Sequence, residues 1–144
     1  MYKVADLMTR ELVTLEETDD LGLAEALVDL VRVRHLPVVH GGRLVGLVTH
    51  RDLLRALAEG KNRRVTAADV MRREVRTVTP HTPLREAGEA MLDYKIGCLP
   101  VVEDGKLVGI VTEADLVKFA LEVITDFDTA ADDFAAEERA AAEP

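Results

Sequence analysis

Four short aliphatic runs mark the chain: Leu36 to Val39, Leu44 to Val48, Leu99 to Val102 and Leu107 to Val111. The first two are separated by His40-Gly41-Gly42-Arg43 and the last two by Glu103-Asp104-Gly105-Lys106. Asp-Gly between aliphatic runs is a strong short-range hairpin signal, so the pattern predicts two β-hairpins. Upstream of each hairpin the apolar spacing changes. Leu21, Ala24, Leu27, Val28 and Val31 fall on one helical face, as do Leu84, Ala87, Met91 and Tyr94, and both faces are expected in the core. Thr82 is the expected N-cap of the second of these helices, with Pro83 at its first helical position; Asp19 and Asp20 take that place in the first. Short extended pieces, Leu12 to Leu15 and Val75 to Val78, come before the helices. Further helices, Arg51 to Ala58 and Ala114 onward, follow the hairpins directly. Each unit therefore reads strand, helix, strand, strand, helix. The stretch Glu59-Gly60-Lys61-Asn62-Arg63-Arg64 breaks both periodicities and is the expected joint, with Arg63 and Arg64 solvated.

The two units are copies. At an offset of 63 residues, without a gap, Ala5-Asp6-Leu7-Met8-Thr9-Arg10-Glu11 returns as Ala68-Asp69-Val70-Met71-Arg72-Arg73-Glu74. Leu36-Pro37-Val38-Val39 returns as Leu99-Pro100-Val101-Val102, and Leu44-Val45-Gly46-Leu47-Val48-Thr49 as Leu107-Val108-Gly109-Ile110-Val111-Thr112. Of the 49 pairs between positions 5–53 and 68–116, 20 are identical. Two units of this length imply a pseudo-symmetric pair, since a solenoid needs more and usually shorter repeats. The expected division is residues 1–62, 63–124 and a tail of 125–144, within an α/β (α+β) fold.

Charge adds little to the body and much to the tail. Of the net −9, residues 125–144 hold −6, because seven carboxylates there face Arg139 alone. Neither part has the clustered basic face that binding nucleic acid requires. Phe119, Val123, Phe127, Ala131 and Phe134 recur at helical spacing in and before the tail, which predicts a helical extension with acidic residues opposite. The alternative is an acidic, alanine-rich solubilising tail. No run approaches the roughly 20 apolar residues of a membrane span, and Met1 to Arg10 lacks the features of a signal peptide, so a cytoplasmic protein is expected. The single cysteine, Cys98, has no partner for an internal disulfide and lies in an apolar stretch where a buried, inert thiol is expected.

The candidate chemistry lies where each hairpin turns into a helix: Gly46-Leu47-Val48-Thr49-His50-Arg51-Asp52 and Gly109-Ile110-Val111-Thr112-Glu113-Ala114-Asp115. Threonine at a helix start with aspartate three residues later makes a capping box, which is a purely structural device. The same geometry offers amides and a hydroxyl to a phosphate, and an aspartate one turn on can accept from both ribose hydroxyls. The four histidines, at 35, 40, 50 and 81, show no metal-ligand spacing. There is no Gly-x-Ser-x-Gly, Walker loop or Gly-x-Gly-x-x-Gly, so no residues support an enzyme.

The methionine near each unit's start, Leu-Pro-Val-Val, the glycine turn, Leu-Val-Gly-(Leu/Ile)-Val-Thr and Asp-Leu together resemble the cystathionine-β-synthase (CBS) domain family, as a tandem pair over about residues 3–122. The resemblance implies two units packed sheet against sheet about a pseudo-two-fold axis, with two clefts for AMP, ADP, ATP or S-adenosylmethionine and no metal. Carried across, it implies that Thr49 and Thr112 face phosphate and Asp52 and Asp115 hold ribose. Thr14 and Thr77, with His35 and Cys98, would line the adenine pocket. It also implies a homodimer, and as a regulator the module would act in trans on a regulated protein. His50 and Arg51 beside Thr49, against Glu113 and Ala114 beside Thr112, suggest that the first cleft takes phosphate more tightly. The contrasting expectation is a dimeric structural or interaction protein with vestigial clefts.

Overall fold

Both hairpins form where the glycines direct them. A computed structural model describes residues 1–142. Gly41, Gly42, Asp104 and Gly105 all have positive φ, between 51° and 79°, as the type I′ turn of a two-residue hairpin loop requires. The elements run β1 (Leu15–Glu16), α1 (Leu21–Val31), β2 (His35–His40), β3 (Arg43–Thr49), α2 (His50–Ala58), α3 (Ala67–Val70), α4 (Leu84–Tyr94), β4 (Cys98–Glu103), β5 (Lys106–Thr112) and α5 (Glu113–Ala142). β2 pairs antiparallel with β3 and β4 with β5, with the same register irregularity at corresponding places, Val38/Val39 and Val101/Val102. β1 adds a parallel strand to the first sheet. Its counterpart contributes only the single bridge Val78 to Val101, so the expected second extended piece is not a full strand.

Two local expectations are corrected. Pro83, not Thr82, stands at the N-cap of α4: its ψ of 135° is extended rather than helical. The Thr82 hydroxyl instead accepts from the Thr79 N–H. In α1 the matching Asp20 does cap, accepting from the Leu23 N–H. Val31 and Tyr94, at the ends of their stripes, are half exposed, and Tyr94 lies under the Arg76 guanidinium at 3.4 Å. Arg63 is exposed but not idle: it bonds Glu25 on α1 at 2.7 Å. The joint itself starts with Gly60 at positive φ, where the Gly60 and Lys61 amides close the α2 C-terminus on the Leu57 and Ala56 carbonyls.

The two units exchange their lead segments. Residues 1–9 begin the first copy, yet Val4 and Met8 are buried with Ala87, Met91, Leu99, Val101 and Val111 of the second. Ala67 and Met71 are buried with Ala24, Val28, Leu36, Val38 and Val48 of the first. The backbone repeats the exchange at each end. Leu21 N donates to Val65 O and Ala67 N to Asp19 O, while Leu84 N donates to Tyr2 O and Val4 N to Thr82 O. Further along, Arg72 pairs with Leu47 and Thr9 with Ile110 in the manner of an added strand residue. Glycine makes this close approach feasible. A methyl at Gly46 would collide with Met71 Sδ, and one at Gly109 would stand 2.8 Å from Met8 Sδ. Between the sheets a third cluster joins Leu47, Ile110 and Cys98, with Leu12 and Val75 packed on it.

The tail is helical, continuous with α5. Tyr2 packs edge-on against Phe119, 4.8 Å between ring centres, and ties the chain's start to α5. From Leu121 onward the helix is exposed at nearly every described residue, including Phe127 and Phe134.

Candidate functional site

Each strand-to-helix corner closes a complete capping box. The Asp52 N–H donates to Thr49 Oγ1 at 3.1 Å, and the Thr49 N–H donates to Asp52 Oδ2 at 3.1 Å. The Asp115 N–H donates to Thr112 Oγ1 at 3.2 Å, and the Thr112 N–H to Asp115 Oδ2 at 2.9 Å. The first helical amide is taken too: His50 N donates to Arg34 O and Glu113 N to Gly97 O. Three of the four amides at each helix start are therefore already satisfied, leaving only those of Arg51 and Ala114, fewer than the sequence pattern suggested. The threonine hydroxyl oxygens accept in these bonds.

The outer carboxylate oxygens meet different partners. Arg72, from the lead segment of the second copy, grips Asp52 with Nη2 at 2.9 Å from Oδ1 and Nε at 3.2 Å from both oxygens. Asp52 is the one charged side chain buried among the described residues, 8% exposed. Burial pushes its carboxyl up, but the Arg72 guanidinium and the Thr49 amide and hydroxyl outweigh that and hold it below the ordinary carboxylate value. Asp115 has no cation in this place. Its counterpart donor is the Thr9 hydroxyl, 3.1 Å from Oδ1 and 3.3 Å from Oδ2, and the residue is half-buried. Thr9 and Arg72 went unnoticed at the sequence level, although they are the one unlike pair inside Met-x-Arg-Glu.

Four further candidates divide between corner and cavity. His35 and Cys98 stand directly across the ladder from Thr49 and Thr112. His35 lies at the boundary between the units, close to Gly97. Burial lowers its pKa, with Glu113 opposing and Arg34 reinforcing that shift. Cys98 is buried, and burial pushes its thiol up to about 12, which makes it inert. Thr14 is half-buried just before β1, whereas Thr77 is exposed. Thr77 lines a cavity of about 220 Å³ with Gly46, Arg73, Val75, Val102 and Gly105, which does not extend to Thr49 or Asp52. Arg51 is exposed and His50 half-buried. Among the described residues there is no cluster able to hold a metal ion, and no helix is long and apolar enough to cross a membrane.

Known proteins share this fold. The CBS domain family matches residues 4–59 and 67–122. The CBS domain-containing protein YhcV of Bacillus subtilis is 34% identical over 117 residues, 81% of this chain and 84% of that protein. The structure of CBSX2 in complex with AMP is 32% identical with a TM-score of 0.79, covering 85% of this chain and 98% of that one. The CBS domain pair of protein MJ0100, in complex with 5′-methylthioadenosine and S-adenosyl-L-methionine, is 30% identical with a TM-score of 0.76, covering 83% and 95%. Other relatives are longer enzymes: the chain matches 22–24% of the length of three homoserine O-acetyltransferases. With both copies matched and a whole-chain likeness to CBS pairs, this chain belongs to the CBS domain family, as a tandem pair.

Proposed function

We propose that the chain is a non-catalytic sensor that binds an adenosyl compound, such as AMP, ADP, ATP or S-adenosylmethionine, and changes how its two units sit together. The observation that carries this reading is the Thr-x-x-Asp corner, present at both sheet-to-helix turns with matching geometry. The solved relatives whose names state a ligand hold AMP, or 5′-methylthioadenosine with S-adenosyl-L-methionine. Signalling requires only that the ligand favour one arrangement of the pair over another. The exchanged lead segments supply the link, since a compound held at one copy's corner lies beside the other copy's start.

The module works as a homodimer in the cytoplasm, where such metabolites are made, and acts on a regulated protein in trans. Support for self-association comes from apolar side chains left uncovered on all four long helices, among them Leu30, Leu54, Leu92 and Val117. The same surfaces support a second reading, an interaction module with unused clefts. Thermal shift against AMP, ADP, ATP and S-adenosylmethionine separates the two. A ligand at 100 times its Kd adds about 2.7 kcal/mol to the folded state. No shift with any of them at millimolar concentration favours the interaction module. Turnover of ATP on prolonged incubation contradicts the non-catalytic reading, and a monomer mass by light scattering at tens of micromolar contradicts the dimer.

A further inference from the structure

The two corners share the capping box, so what separates their carboxylates is the donor brought from the other copy. At Asp52 that donor is a guanidinium. Its Nε and Nη2 lie against the carboxylate edge while the Thr49 amide takes Oδ2 from behind. A ribose diol offers two neutral O–H donors and needs that same edge. Either donor set would make charge-assisted bonds to the ionised carboxylate, but the guanidinium adds a full positive charge and a rigid fork of donors that neutral hydroxyls lack, so the diol loses this competition. Burial of the carboxylate adds to the obstacle, because moving Arg72 aside would leave a desolvated anion with neutral partners only.

At Asp115 the donor is the Thr9 hydroxyl, neutral and single, on an exposed residue. A ribose hydroxyl replaces it like for like. The Asp115 carboxylate is half-buried and, apart from the Thr112 amide on Oδ2, accepts only from Thr9 among the described side chains. It therefore has acceptor positions to give.

We propose that Arg72 latches the first cleft shut and that an adenosyl compound enters only the cleft of Thr112 and Asp115, one per chain. This rests on the nucleotide-binding reading above and reverses the preference that His50 and Arg51 suggest from sequence. Thr9 is then the positioning residue whose displacement reports the ligand to the lead segment of the first copy. Arg72 is a specificity-determining residue that keeps the first corner structural.

Calorimetric titration of AMP and of 5′-methylthioadenosine into the wild type, Arg72→Thr and Thr9→Arg tests this, with circular dichroism melts confirming that each variant folds. The second compound lacks a phosphate, so it reads adenosine binding without the phosphate's contribution at the helix start. The expected stoichiometry is one per chain in the wild type and two in Arg72→Thr, which copies the Thr9 arrangement into the first corner. Thr9→Arg, which copies the latch into the second corner, should weaken binding by about tenfold or more. Two compounds per wild-type chain, or an unchanged stoichiometry in Arg72→Thr with undiminished affinity in Thr9→Arg, would overturn the latch while leaving adenosyl binding intact. Absence of binding in all three proteins overturns the nucleotide reading itself, and the latch with it.

Discussion

The corner at Thr49 and the corner at Thr112 repeat the same turn, the same box and the same bond from the first helical amide to the residue before the strand. Around the aspartate carboxylate they part at one donor, Arg72 against Thr9. Duplication has kept everything the backbone needs in order to turn from strand to helix. It has let the carboxylate's outer partner diverge, and with it the carboxylate's availability. A motif seen twice thus says that the turn is made twice; what the aspartate is free to do depends on a residue 20 positions away in one copy and 106 in the other.

The largest effect should come from breaking the exchange that brings those donors across. Gly46→Ala puts a methyl onto Met71, with Met71 Cγ at 2.8 Å and the Arg72 carbonyl at 3.0 Å behind it. Gly109→Ala meets Met8 Cγ at 3.2 Å and the Thr9 carbonyl at 3.1 Å. Overpacking of this kind costs about 1–3 kcal/mol, so both should lower the denaturant midpoint, Gly46→Ala more. Equal and negligible losses would mean that the lead segments can move aside.

Next in size is the latch as a stability element. Asparagine can still accept the backbone amide of the box, so Asp52→Asn isolates the Arg72 contact and Asp115→Asn the Thr9 contact. The first should cost about 1–2 kcal/mol, reduced by the solvent around Arg72, and the second about 0.5 kcal/mol. Chemical denaturation at neutral pH measures both, and an equal cost would remove the distinction between the corners.

Acid should expose the same asymmetry. The folded Asp52 pKa lies below its unfolded value, so its contribution is present above about pH 4 and is lost as pH falls through the folded value. His35 is also lowered. Its contribution is full above about pH 6.5 and declines as pH falls through its folded value. Its counterpart Cys98, with a thiol near 12, does not titrate anywhere in that range. His35→Gln should flatten the decline below pH 6.5, and Asp52→Asn the steeper one below about pH 4. A Cys98→Ala variant that changed the acid profile would contradict this assignment.

The smallest effect is expected where the copies differ in length. α2 ends at Ala58, while α5 runs on to Ala142 with its later residues exposed. Truncation after Thr125 should shift the midpoint at low protein concentration by less than about 0.5 kcal/mol, since it removes no core contact. A larger loss would show that a second copy covers the tail.

Much of this architecture was legible because hairpins and helices write themselves in local spacing. Asp104-Gly105, the Leu21 and Leu84 stripes and the 63-residue offset each follow from neighbours in sequence. The Thr-x-x-Asp boxes were legible for the same reason. The exchange was not, because Val4 and Ala67 have the same apolar character whichever sheet they land on, and no periodicity marks the choice. Thr82 misled because its hydroxyl has two possible uses, and the Thr79 turn claims it. The latch was illegible because Arg72 acts through a pairing with Leu47 that only the folded backbone sets.

A crystal structure of the wild-type chain grown with excess 5′-methylthioadenosine tests the central claim most directly. The account predicts one molecule per chain, its ribose hydroxyls on Asp115 in place of Thr9, with Arg72 still on Asp52. Ribose density on Asp52 with Arg72 turned away, or on both aspartates alike, would contradict it.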